Sequence, residues 1–245
     1  MSKWRELYNT KLSTPEKIAK LIESNTICIS PIGAGEAAAI PEAVAKRAKD
    51  DNLFGVVHWS LLSIVNKDLW NDEDLDGKFN HSTLYCGTND VRKAINEKRA
   101  DFMPSFYYQM PGTIDEFIKP DVFYATVSPM DKHGYFSFGT SISNSITMKK
   151  AAKRIYLEVN DCMPRTHGNS FIHITEVDAL CEVNRGLPEL KSSDISKNEM
   201  IIGNYIAELV PSGAVIQLGI GGIPNAAAQA LKDKSDLGIH SELFT

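Results

Sequence analysis

The 245-residue chain has no run of eighteen apolar residues, and its first residues lack the apolar stretch of a secretory signal. A membrane-spanning helix needs about twenty such residues, so we expect no membrane partner and a cytoplasmic location. The chain has only four cysteines, which lie far apart and form no C-x-x-C pair. This spacing argues against a zinc site and is typical of free thiols in a reducing compartment.

An excess of basic residues is also missing, because 26 Lys and Arg face 31 Asp and Glu and give a net charge of −5. Proteins that bind nucleic acid present a basic face, so this balance argues against a nucleic-acid partner. One basic cluster, Lys149–Arg154, is predicted to be a solvated helix face. No metal-ligand spacing relates the histidines at positions 58, 133, 167 and 173, and we therefore predict no metal.

Strand-like apolar runs alternate with helical patterns along most of the chain. "TICIS", "FGVVHWS", "DVFYATVSP" and "RIYLEVND" are typical of buried strands, and helical segments separate them. This alternation predicts an α/β fold with an open, mostly parallel sheet and flanking helices. Helix starts are predicted at a cap formed by Ser13 or Thr14, at a cap formed by Asn89 or Asp90, and at a capping box of Ser196 and Glu199. The loop-rich stretch 184–199 is a candidate domain junction, so we predict one domain over 1–190 and the start of a second over 191–245.

An internal repeat supports the second domain. A helix, the strand "TICIS", Gly33-Ala34-Gly35 and an Ala-rich helix follow one another near the start. The same order returns late in the chain with "AVIQL", Gly219-Ile220-Gly221 and "NAAAQALKD". Chance, together with the alternation of strands and helices that all α/β folds share, would explain the match as well. If the repeat is real, the protein contains two related domains, and the second is incomplete in this chain.

The glycine loop after "AVIQL" is the most informative stretch. Glycines allow a sharp turn and a close approach of a ligand to the main chain. The helix predicted to begin at Pro224 or Asn225 would present free N–H groups, which favour anions and phosphates. A tight strand-to-helix turn without a ligand is the plainer alternative.

A dinucleotide-binding site competes with that interpretation. The loop resembles the G-x-G-x-x-G fingerprint, and Glu242 lies where an acidic residue would bind the ribose. Pro224 replaces the third glycine, which serves close packing of helix on strand, and this departure argues against a nicotinamide enzyme. A nucleotide-binding module without catalysis also stays open.

"QLGIGGIPNAAAQALKD" and "LGIHSELFT" together resemble the acetyl-CoA hydrolase/transferase family of class I CoA-transferases, with particular similarity to its 4-hydroxybutyrate and butyryl-CoA:acetate CoA-transferase members. "SPIGAGEAAAIPEA", "VSPMDKHGYFSFG" and "EVNDCMPRTHGNSFIHITEVD" extend the resemblance over nearly the whole chain. It implies two similar α/β domains in a longer chain, acyl-CoA and a short-chain carboxylate as substrates, no metal or redox cofactor, and a homo-oligomer. It also implies Glu242 as the covalent nucleophile and a coenzyme A contact at Gly219, Ile220, Gly221, Gly222 and Ile223.

Transfer and hydrolysis both occur in that family, and the residues alone do not separate them. His240 would share a face with Glu242 if both lay on a strand, although a packing or surface role is the plainer interpretation. For the aromatic segment Phe106–Tyr108, a core or dimer contact is favoured over a substrate contact. The polar segment "MPRTHGNSF" is interpreted either as a surface loop or as part of an acyl pocket.

Overall fold

The apolar runs of the sequence form the strands of a parallel sheet in a computed structural model that describes residues 3–189 and 194–243. The chain divides into two units, Met1–Pro188 and Glu189–Thr245, and each is described by itself. The predicted boundary between residues 190 and 191 lies outside the described residues.

Unit 1 is built on a seven-stranded sheet in which every neighbouring pair is parallel. Its strands, in chain order, are β1 (Ile27–Ile29), β2 (Val56–Ser60), β3 (Phe79–Thr83), β4 (Ala100–Phe102), β5 (Val122–Val127), β7 (Arg154–Asn160) and β9 (Ala179–Val183). A separate antiparallel pair joins β6 (Tyr135–Ser137) to β8 (Phe171–His173). Across the sheet the strands lie in the order β4-β3-β2-β1-β5-β7-β9. The strand numbers fall as far as β1 and rise from β5, so the direction in which the chain adds strands changes between these two. The predicted open parallel sheet with flanking helices is confirmed.

Over residues 3–188, unit 1 contains the α-helices α1 (Lys3–Lys11), α2 (Pro15–Ala19), α3 (Ala39–Asp50), α4 (Asn89–Asn96), α5 (Met110–Thr113), which continues as a π-helix over Ile114–Ile118, and α6 (Ser145–Ala151). Of the two predicted caps, Ser13 and Thr14, it is Thr14 that caps α2, because its side chain accepts from the Lys17 N–H. Helix α4 is capped by Thr88, and the prediction of Asn89 or Asp90 is wrong by one or two residues.

Both faces of the sheet are covered, and the inner strand β5, which lies beside the central strand β1, is buried along its whole length. Phe123, Ala125 and Val127 belong to the apolar cluster on one face, and Val122 and Tyr124 belong to the cluster that includes α2 and α3. A continuous apolar strand is what a parallel sheet with helices on both sides requires. Burial of each large apolar side chain contributes roughly 1.5–3 kcal/mol.

Unit 2 is a strand–helix–strand element preceded by a helix. Its elements are α7 (Lys197–Leu209), β10 (Val215–Ile216), α8 (Gly222–Ala230) and β11 (Gly238–Ile239). Strands β10 and β11 are parallel, as are β1 and β2 of unit 1, and in both units a helix connects them. Ser196 and Glu199 form the predicted capping box at the start of α7. Helices α7 and α8 pack so closely that a Cβ on Gly203 would lie 2.6 Å from the backbone of Ala226.

The aromatic segment, the cysteines and the basic cluster can each be compared with what the sequence predicts for them. The aromatic segment is exposed, with Phe106 at 70% and Tyr108 at 77%, so a core role for it is wrong. Cys28 and Cys181 are buried free thiols, whereas Cys162 is exposed. The basic cluster lies at the surface and is largely paired, for example through Lys149 and Glu176.

None of the helices within 3–189 and 194–243 has the length and apolarity that a membrane crossing requires.

Candidate functional site

The candidate site begins where β10 ends and the chain turns into α8. Gly221 holds φ at 129°, in the region that favours glycine, and acts as the N-cap residue of α8. The helix therefore begins at Gly222 and not at the predicted Pro224 or Asn225. Pro224 still occupies the first turn, where its missing N–H is not needed.

The glycine loop presents a row of backbone donors. Within 3–189 and 194–243, no acceptor faces the N–H groups of Gly219, Ile220, Gly221, Gly222 and Ile223, and the first bond of α8 runs from Asn225 N to Gly221 O. Residues 219–221 and 223 are exposed to solvent. These donors are available to an oxygen of a ligand, either an anion or a polarised carbonyl.

A carboxylate of α7 lies against the same turn. One oxygen of Glu199, Oε2, accepts from the Ser196 N–H at 2.7 Å. The other points at the start of α8, because a Cβ added to Gly222 would lie 1.9 Å from Glu199 Oε1. The hydrogen bonds from Ser196 lower the pKa of Glu199, so its negative charge persists beside the loop at neutral pH.

Glu242 follows the neighbouring strand. The ladder continues past β11 with a bond from His240 N to Ile216 O at 3.0 Å. Ser241 Oγ then donates to Leu218 O, the residue directly before the glycine loop, at 2.8 Å. The carboxyl ends of two adjacent parallel strands thus bring the loop and Glu242 to one edge. The Glu242 side chain is exposed and makes no hydrogen bond or ion pair within the described part of the chain.

His240 lies directly after β11, which ends at Ile239. Its side chain is exposed, in agreement with the plainer interpretation of a surface histidine. The polar link to the strand β10 side is made by Ser241.

In the corresponding glycine turn of unit 1, backbone N–H groups donate to acceptors within the same unit. The N–H of Gly33 bonds to Leu62 O, and the N–H of Gly35 bonds to Ser141 Oγ at 2.9 Å. The carboxylate of Glu158 accepts from Ile40 N at 2.7 Å and from Ala38 N at 3.0 Å at the start of α3. An internal anion therefore occupies this helix terminus, which leaves unit 2 as the unit with an open loop.

The burial of two glutamates of unit 1 was not predicted from the sequence. Glu36 and Glu158 are fully buried, and Arg185 Nη2 lies 3.7 Å from Glu158 Oε2. Burial raises the pKa of both carboxyl groups, to about 7 for Glu36, although backbone N–H groups oppose the shift. For Glu158 the sequence holds a partial indication, because it lies inside the apolar run "IYLEV" and a charged residue is rarely buried unless it is paired.

Glu36 makes stability depend on pH. Its Oε2 accepts from Ile64 N and Val65 N, while the buried Oε1 accepts no hydrogen bond from the part of the chain that the structure describes. Because the folded protein keeps this proton to about pH 7 and the unfolded chain releases it near pH 4.5, the free energy of unfolding falls as pH rises through that window. We expect Glu36→Gln to gain about 2–3 kcal/mol relative to the parent protein between pH 5 and pH 8.

Urea unfolding at the two pH values measures this difference. The same exchange at Glu42, which is exposed on α3, serves as the control and should show no such trend. A gap between parent and Glu36→Gln that stays constant across the window would mean that Glu36 does not titrate there.

The histidines form no metal site. His58 and His81 are buried neighbours on β2 and β3, with ring centroids 5.4 Å apart. Burial lowers the pKa of His81 to about 3 and that of His58 well below its usual value, so both are neutral. Among the described residues, no three His, Cys, Asp or Glu side chains are placed to hold a metal ion.

Comparison with known proteins identifies the family. The model of the acetyl-CoA hydrolase/transferase N-terminal domain matches residues 1–187. The chain belongs to the acetyl-CoA hydrolase/transferase family. This confirms the resemblance that the motifs carry. Pro224 and the family match together argue against the nicotinamide enzyme.

Relatives and solved structures agree with that assignment. The 4-hydroxybutyrate coenzyme A transferase of Clostridium kluyveri is 38% identical over 99% of this chain and 56% of its own. The succinyl-CoA:cyclohexane-1-carboxylate CoA transferase of Geobacter metallireducens is 36% identical over 97% of this chain and 53% of its own. The crystal structure of RipA from Yersinia pestis superposes with a TM-score of 0.92 at 34% identity, covering 99% of this chain and 58% of RipA. The chain thus spans about half the length of the relatives it matches.

Proposed function

We propose that this chain carries the nucleophile and the glycine loop of a CoA-transferase. The enzyme would move coenzyme A between a short-chain acyl-CoA, such as a butyryl, 4-hydroxybutyryl or acetyl thioester, and a free carboxylate. Glu242 would be the nucleophile and residues 219–223 the coenzyme A contact. The names of the relatives range from a 4-hydroxybutyrate to a cyclohexane-1-carboxylate CoA transferase, so the proposal covers a class of acyl groups and not a single one.

One observation supports this proposal most strongly. The exposed Glu242 carboxylate, which has no partner in residues 3–189 and 194–243, follows β11, and N–H groups that likewise lack an acceptor in these residues follow the adjacent strand β10. The Ser241–Leu218 hydrogen bond joins the two segments. A nucleophile beside preorganised donors is the arrangement that acyl transfer requires.

The reaction would run through two covalent steps. The Glu242 carboxylate attacks the thioester carbonyl, the C–S bond breaks, and a mixed anhydride and CoA thiolate form. The thiolate then attacks the glutamyl carbonyl, which gives a glutamyl-CoA thioester and releases the first acid. The incoming carboxylate reverses both steps and leaves as the new acyl-CoA. No proton or electron has to be supplied from elsewhere, and the kinetics are ping-pong.

Two other functions give different outcomes. An acyl-CoA hydrolase would use the same nucleophile but admit water to the anhydride or thioester. A nucleotide-binding module would use the loop for phosphates, with Glu242 near the ribose and no covalent chemistry. The family match and Pro224 favour the transferase over the module. A homo-oligomer, a cytoplasmic location and the absence of a metal or redox cofactor stay predictions.

An exchange assay distinguishes these functions. The full-length gene product is incubated with butyryl-CoA and isotopically labelled acetate, and labelled acetyl-CoA is measured. The proposal predicts labelled acetyl-CoA formed by a ping-pong mechanism. Free CoA without labelled acetyl-CoA would indicate the hydrolase. No turnover of either kind would contradict an acyl-transfer function.

A further inference from the structure

We propose that Ser241 is a positioning residue of the transferase site. Its hydroxyl group takes the place of a backbone hydrogen bond between the segments that follow β10 and β11, and it fixes both Glu242 and the entrance of the glycine loop. This role rests on the proposed function and deepens it. Ser241 would contact neither the thioester nor coenzyme A, and it would act through the groups on the two sides of its hydrogen bond.

The register of the two strands shows which backbone bond the hydroxyl replaces. Paired residues of β10 and β11 lie 23 residues apart, and Leu218 and Ser241 keep this spacing. The last backbone bond of the ladder runs from His240 N to Ile216 O. In a regularly spaced parallel ladder, the next bond would run from Glu242 N to Leu218 O. The Leu218 carbonyl accepts from Ser241 Oγ at 2.8 Å instead, and the Glu242 N–H makes no hydrogen bond within residues 3–189 and 194–243.

The Leu218 carbonyl belongs to the peptide unit that opens the glycine loop. It also accepts from Gln217 Nε2 at 3.0 Å, so two side-chain donors occupy the two lone pairs of the oxygen. Because a peptide unit is planar, holding the Leu218 carbonyl also fixes the direction of the Gly219 N–H. Ser241 therefore connects the first donor of the loop to the residue directly before the nucleophile.

A second serine link lies at the opposite end of the same strand pair and provides a comparison. Ser212 Oγ accepts from Ser235 N at 3.3 Å, again across 23 residues. Strands β10 and β11 have two residues each, so a side-chain bond at either end supports a short ladder. Ser212 and Ser235 precede the strands, whereas Ser241 and Leu218 follow them. Removing either hydroxyl weakens the strand pair, but only the Ser241 hydroxyl is next to Glu242.

Loss of the Ser241 hydroxyl should change the path of the chain at Glu242. A carbonyl that loses its donor seeks another one, and the Glu242 N–H is the donor that the ladder would supply. That bond would draw Glu242 into the strand and turn its carboxylate away from its position in the parent protein. A displacement of about one ångström in a reacting group costs about 10²-fold in rate.

Exchange kinetics of the full-length protein test this role. We expect Ser241→Ala to lower kcat for labelled-acetate exchange by about 10- to 100-fold and to change KM for butyryl-CoA by less than about three-fold. Ser241→Thr keeps a hydroxyl on the same carbon and should recover at least about one-third of the parent kcat. Ser212→Ala is the matched control and should retain the parent kcat. Both alanine variants should lower the urea midpoint to a similar, small extent.

The possible results separate the role of Ser241 from the transferase function itself. Parent-like exchange by Ser241→Ala, equal losses in Ser241→Ala and Ser212→Ala, or no recovery in Ser241→Thr would each overturn the positioning role. In all three cases the parent still transfers coenzyme A, and the proposed function stands. A parent protein that performs no exchange would overturn the proposed function and the role of Ser241 with it. Rates refer to the folded fraction of each preparation, measured by circular dichroism.

Discussion

Glu242→Gln is expected to abolish CoA exchange, with a loss of at least about 10³-fold in kcat. The amide has nearly the shape of the carboxylate, but it lacks the charge and the nucleophilic oxygen that the first step uses. Since the side chain is exposed and makes no polar contact within the described residues, the change should leave stability within about 0.5 kcal/mol. The measurement is labelled-acetate exchange together with thermal unfolding of the same preparation.

Glu242→Asp refines this result. The shorter side chain keeps a carboxylate but withdraws it by about one ångström or more, and such a displacement typically costs about 10²-fold in rate. The expected order is therefore parent, then Asp, then Gln. Glu208→Gln should retain the parent rate. Exchange by Glu242→Gln at a rate near that of the parent would exclude this residue as the nucleophile.

Glu158→Gln is expected to destabilise the protein by about 2–4 kcal/mol. The buried carboxylate of β7 accepts from two backbone N–H groups of α3, and Arg185 lies nearby. In the amide, one oxygen becomes an NH₂ group, so a donor faces a backbone donor and the charge opposite Arg185 is lost. No rotation of the side chain satisfies both N–H groups.

Chemical denaturation at pH 7 measures this loss. Glu116→Gln, an equal change at an exposed position of the π-helix, should stay within about 0.5 kcal/mol of the parent. A Glu158→Gln protein as stable as the parent would mean that the start of α3 does not depend on this carboxylate.

Local sequence signals predicted much of the fold. Thr14 before Pro15, and Ser196 three residues before Glu199, marked two helix starts that the structure confirms. These signals work because capping involves atoms only a few residues apart. The unbroken apolar run of β5 likewise predicted a strand buried on both faces.

Other features depend on contacts that sequence spacing does not reveal. Helix α8 begins at Gly222 because Gly221 adopts a positive φ, which the glycine-rich loop permits at several positions. Glu158 meets Ile40 across 118 residues of chain, so only the folded sheet brings the two together. The position of Glu199 beside Gly222 likewise depends on the close packing of α7 on α8.

The most direct test of the central claim is the mass of the protein after reaction with butyryl-CoA and no acceptor. We expect the full-length protein to gain the mass of coenzyme A less one water, and tandem mass spectrometry to place this adduct on Glu242. Glu242→Gln should gain nothing. An adduct with the mass of a butyryl group, or a coenzyme A adduct on another residue, would contradict the glutamyl-CoA mechanism at Glu242.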